Sequence, residues 1–162
     1  MMETNNTGLL IKMVRTAWDA QNNELTKLIN TLTEEQLARE IAPGRNTGVY
    51  LLGHLIAVSD ALLPLLGWGE LLYPEMEELF IKTPDKSGQT FPTVGELKLR
   101  LEAVNAKLNA QLDAATAEEL LDRHMAVKPE DFATQPHRNK LNVIISRTVH
   151  MANHIGQMLL LK

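Results

Sequence analysis

The chain has 162 residues, no cysteine and a net charge of −4, which excludes disulfides, thiolate metal ligands and a cysteine nucleophile. Its 16 Lys and Arg are scattered rather than gathered on one predicted helix face, so nucleic acid is not expected as a partner. The length suits one domain over residues 1–162, and the first 16 residues lack the basic-then-apolar pattern of a secretion signal, so a cytoplasmic location is the default expectation.

Aromatic residues are only 4% against 44% hydrophobic overall, so the core must be built from Leu, Ile, Val, Met and Ala. A first long helix is predicted over residues 6–31, where Leu10, Val14, Ala17, Leu25, Leu28 and Leu32 fall three or four apart. Asn5, Asn6 or Thr7 would cap it. Thr33-Glu34-Glu35-Gln36 has the pattern of a capping box and predicts a short helix, ended by Pro43-Gly44. A second long helix should run from Asn46 or Thr47 to about Leu66, with Leu51, Leu55, Val58, Leu62 and Leu65 as its stripe and His54 on the flank. Pro64 has no amide to offer the carbonyl of Asp60, so the last turn should bend or fray.

Residues 49–68 are apolar enough to raise the possibility of a membrane span. His54, Ser59, Asp60 and Pro64 argue against it, because ionisable groups in lipid are expensive. No membrane association is expected. Residues 68–92 then form a long connection rich in Pro and Gly, with one or two helical turns over 76–81. A link of that length can carry the chain from one end of a bundle to the other.

Thr93-Val94-Gly95-Glu96 is a second capping box, opening a third long helix that ends near Ala115 and aligns Leu97, Leu101, Val104, Leu108 and Leu112. Short turns are expected at 116–119 and around Pro129. The last helix should run from Pro136 to Leu161. With no alternating strand pattern, the expected class is all-α: a four-helix bundle with a long crossover between the second and third long helices.

On the last helix His150 and His154 are four apart and project from one face. A separate apolar stripe, Leu141, Ile145, Thr148, Ala152, Ile155 and Leu159, predicts that this helix buries two faces, one against its own bundle and the other against a further helix, of this chain or of a second copy in a homodimer. His54 lies roughly 12 Å along the second helix and His154 roughly 10 Å from the end of the last, so antiparallel packing would bring the three rings level. Neutral imidazoles suit zinc, nickel, copper or iron(II), and three protein ligands leave a position open for water or substrate. The competing reading is structural, with the pair at the edge of the core and His54 a core histidine satisfied by one hydrogen bond.

Other metal chemistries fail on spacing. A zincin needs Glu directly after the first histidine, where this chain has Met151. A di-iron bundle needs Glu three residues before a histidine, and the five positions are Leu51, Leu121, Thr134, Arg147 and Met151. Serine-hydrolase, P-loop and dinucleotide fingerprints are absent. His124 and His137 fall in predicted loops and read as surface residues. Arg147, Asn153 and Gln157 flank the pair and would either brace the imidazoles, meet a substrate or stay solvated.

Leu52-Gly53-His54-Leu55 followed far downstream by His150-x-x-x-His154-Ile155-Gly156-Gln157 resembles the DinB-like superfamily across essentially the whole chain. The resemblance implies a four-helix bundle with zinc or nickel on His54, His150 and His154, commonly in a homodimer. It further implies a metal-dependent enzyme acting on a small-molecule substrate. Relatives include transferases and isomerases that use a low-molecular-weight thiol, bacillithiol or mycothiol, so a thiol S-transferase or hydrolase is expected. A metal-binding bundle without turnover, or a purely structural one, is the alternative.

Overall fold

The first helix, α1 (Met2–Thr31), runs straight through Asn5, Asn6 and Thr7, so none of the three caps it. Asn and Thr cost a helix interior only fractions of a kcal/mol, about 0.7 at most, so a residue able to cap does not compel a start. The computed structural model describes residues 2–162, with side chains described from Asn6 onward.

Beyond α1 the local caps set the boundaries. Thr33 and Gln36 exchange both capping-box bonds, 3.1 Å and 2.9 Å, at the start of α2 (Glu34–Ala38). That helix stops before Pro43-Gly44 because Arg39 is already extended. Thr47 caps α3 (Gly48–Asp60) through its hydroxyl, which accepts from the Tyr50 amide at 3.2 Å. A break at Ala61 separates α3 from α4 (Leu62–Leu65). The break falls where Pro64 leaves the Asp60 carbonyl without a helical donor. The buried Asp60 carboxylate then accepts from the amides of Leu72 and Tyr73 at 2.9 Å and 2.8 Å, which fixes the start of the long connection.

That connection is not a plain spacer. It contains α5 (Glu75–Glu77), which continues into a single π-helical turn, Glu78–Lys82, and both pack on α3. Thr93 and Glu96 form the expected capping box of α6 (Val94–Ala114). Two short helices follow, α7 (Ala117–Leu121) and α8 (Pro129–Thr134). The last long helix, α9 (Lys140–Met158), begins after Pro136, because Asn139 caps it and pairs with Arg123 in an isolated bridge. Its end tightens into a 3₁₀ turn, Leu159–Leu161.

The protein is therefore all-α, with no strand among the described residues beyond two isolated bridges. α1 lies along α9, and α3 packs against both α6 and α9. Trp18, Leu25 and Leu28 of α1, Leu51, Leu52 and Leu55 of α3, and Leu97, Leu101 and Leu108 of α6 close the core with Ile144, Met151 and Ile155 of α9. Gly48–Leu65, long and apolar enough to cross a membrane, is 72% buried inside this core.

The stripe expected on the last helix is displaced. Its buried line is Ile144, Thr148, Met151, Ile155 and Met158, whereas Ile145, Ala152 and Leu159 are exposed. One residue is 100° of helix, so including Ile145 in place of Ile144 turned the predicted stripe toward solvent. Within one chain, α9 does not bury a second apolar face. That face, with Ile145 and Val149, joins Met13 of α1 along a shallow apolar groove.

Candidate metal centre

α3 and α9 pack together, and their contact places His54 opposite His150 and His154. All three imidazoles are half-buried. His150 Nε2 lies 3.3 Å from His54 Nε2 and 3.0 Å from His154 Nε2. All three donor atoms fall within 4.8 Å of one another.

The protons on these rings are set by their outer nitrogens. His54 Nδ1 lies 2.8 Å from the carbonyl oxygen of Phe80. A carbonyl only accepts, so Nδ1 carries the proton and Nε2 presents a lone pair. His154 Nδ1 lies 2.9 Å from Gln157 Oε1, and with the amide in this orientation it too carries the proton. His150 Nε2 faces both lone pairs and can carry one proton at most, so one of the two close contacts must set lone pair against lone pair. A cation between the three nitrogens removes this repulsion. With metal–nitrogen bonds of roughly 2.0–2.1 Å, tetrahedral ligands stand about 3.3–3.4 Å apart. The donor set fits an ion of zinc or nickel type: three neutral imidazoles, no acidic residue, and outer-nitrogen bonds of the kind that orient ligating histidines. The Nδ1 of His150 is buried and lacks a partner among the described residues.

The Phe80 carbonyl is free to hold His54 for a local reason. The chain turns extended at Thr83, the residue before Pro84, so no later helical amide returns to it. The π turn, in which the Thr83 amide reaches back to the Glu78 carbonyl, keeps Phe80 against α3. The Phe80 ring sits over Gly53, where a Cβ would collide with it. Tyr50 stacks on His54 at 6.5 Å between ring centroids and donates its hydroxyl to the Thr83 carbonyl at 2.8 Å. Phe80 and Tyr50 are thus the supports that sequence spacing missed. The available signal was an apolar residue four before a proline in the long connection.

Of the residues flanking the pair, Gln157 braces His154, Arg147 is half-buried and Asn153 is exposed. His137 is on the surface as expected, while His124 is half-buried with its Nδ1 unpartnered among the described residues.

Burial first, then the charges of His154, His54 and Arg147, pushes the His150 ring down to about 4. His54 is also lowered, chiefly by burial and only partly offset by its bond to Phe80. The His150 ring is therefore neutral, and able to ligate, well below the ordinary histidine range, and the His54 shift acts in the same direction. In metal-free protein the unfolded chain takes up these protons before the folded one does. The stability that this difference confers is complete above about pH 6.5 and is lost as pH falls through the lowered values. Thermal melts in chelator should show a lower Tm at pH 4.5 than at pH 7.5, with a smaller difference in His150→Ala. Equal differences in the two proteins would contradict the assignment.

An all-helical chain that presents three imidazoles from two packed helices defines the class. The chain belongs to the DinB superfamily, whose family model matches residues 17–158. A crystal structure of a conserved protein from Enterococcus faecalis is similar in fold, with a TM-score of 0.63 and 18% identity over 91% of this chain and 92% of that one. No curated protein sequence matches the chain.

Proposed function

We propose that this protein is a metal-dependent enzyme acting on small molecules, of the thiol S-transferase or hydrolase type, with zinc or nickel held by His54, His150 and His154. The observation that carries this reading is the convergence of three Nε2 atoms on one point, two of them with their protons fixed on the far nitrogen. Superfamily membership supports the same reading. The frame is a four-helix bundle formed by α1, α3, α6 and α9 as one domain, with the connection between α3–α4 and α6 as its crossover.

A divalent ion in this position would lower the pKa of a thiol or water that joins it, supplying a nucleophile near neutral pH. The chain's own residues prepare for that chemistry. Phe80 and Gln157 hold two imidazoles in the ligating tautomer, and burial keeps His150 and His54 unprotonated. Tyr50, with its own hydroxyl engaged by Thr83, lies parallel to the His54 ring at 6.5 Å between centroids.

The test is consumption of bacillithiol or mycothiol with monochlorobimane as electrophile, comparing zinc- or nickel-loaded protein with chelator-treated protein. Metal-dependent consumption that disappears in His54→Ala is expected. Stoichiometric metal without turnover of either thiol, or of ester substrates, would leave the non-catalytic metal-binding alternative.

The same reading includes a homodimer joined through the α1–α9 face. Met13 is 59% exposed and Val149 65% exposed there, a concentration of large apolar side chains that a two-fold partner would cover. Analytical ultracentrifugation at micromolar concentration should give twice the chain mass, and Val149→Glu should halve it. A monomer in the wild type would contradict the dimer.

A further inference from the structure

A second site lies at the other end of α9. Leu65 at the end of α4, His124, and residues 138–147 at the start of α9 line an open pocket of about 290 Å³. Its lining includes Arg138, Arg147 and His124, with Asn139, Asn142 and Ser146, and no acidic residue. In a chain of net charge −4 this is an unusual concentration of basic groups.

The acids that would ordinarily pair with these arginines are elsewhere. The ion pairs among the described residues use Arg15, Lys82, Lys86, Arg100 and Lys140, and neither Arg138 nor Arg147 is among them. The Arg147 Nε is buried and has no partner among the described residues, and the same holds for the Nδ1 of His124. A buried guanidinium nitrogen without an acceptor costs free energy unless a ligand supplies one. Asn139 caps α9 at the cavity, so the positive end of a 19-residue helix adds to the same field.

We propose that this cavity binds a small dianion, a dicarboxylate or a phosphate monoester, through Arg138 and Arg147. Guanidinium groups match both chemistries with two parallel N–H donors each. Two fixed positive charges call for two negative ones, and the volume lies at the small end of ligand cavities. Ser146, Asn142 and His124 supply further hydrogen-bonding groups. Arg147 is one turn before His150, roughly 4.5 Å along the axis, and its charge acts on both His54 and His150. None of the three metal-site histidines lines this pocket, so anion binding there needs no metal.

The test is isothermal titration of the chelator-treated full chain with succinate and, separately, inorganic phosphate at fixed ionic strength. Saturable one-to-one binding is expected for at least one probe, and competition between the two shows which chemistry is preferred. Arg147→Gln and Arg138→Gln should each weaken it about tenfold or more, with Arg147→Lys recovering part, while far-UV circular dichroism and zinc content stay as in the wild type. No saturation up to about 10 mM of either probe, beyond the millimolar affinity scale, would overturn the proposal, as would unchanged affinity in the folded double variant. Because zinc content is read on the same proteins, a failed anion site leaves the three-histidine reading standing.

Discussion

His150→Ala is expected to lower affinity for zinc or nickel by more than about 100-fold, because loss of an outer partner alone costs 10- to 100-fold at such sites. His150 is the shared neighbour in the cluster: its Nε2 lies 3.3 Å and 3.0 Å from those of His54 and His154. Without it, two neutral nitrogens on different helices remain, too few to complete a tetrahedral set with one open position. The fold should survive, since the ring is half-buried and its Nδ1 has no partner among the described residues to lose. Competition with a chromophoric chelator measures the loss. Unchanged affinity would remove His150 from the site.

The second large effect is predicted for a residue that ligates nothing. Gly53→Ala should destabilise the protein by about 1–3 kcal/mol, the usual range for overpacking a filled core. The added Cβ would collide with the Phe80 ring. That ring is fully buried, with Tyr50 and Phe91 at centroid distances of 5.7 Å and 4.8 Å, so it has no room to swing away. For a chain of this size the Tm should drop by about 2–4 °C for each kcal/mol. Since the Phe80 carbonyl holds His54 in its ligating tautomer, metal affinity should fall with stability. Melts in chelator that match the wild type would show that the collision is relieved at no cost.

What could be read from the sequence was set by local physics. The capping boxes at Thr33 and Thr93 are complete within four residues, and both helices start where they predict. The His150–His154 pair follows from helical spacing alone, and the nearness of His54 from counting turns along antiparallel helices. Where tertiary contacts decide, local pattern was insufficient. The bridge between Arg123 and Asn139 delays α9 past Pro136, and the choice between Ile144 and Ile145 for the core depends on how α9 is rotated against α1 and α3. The same holds for Phe80, which reaches His54 only because a π turn in the long connection folds back onto α3.

The measurement that bears most directly on the central claim is elemental analysis of the untagged wild-type protein, before and after incubation with zinc and with nickel. One equivalent of a divalent transition metal per chain, removed by chelator and restored by either ion, is the predicted result. No bound metal under any of these conditions would mean that the three imidazoles are structural groups and that the proposed chemistry is wrong.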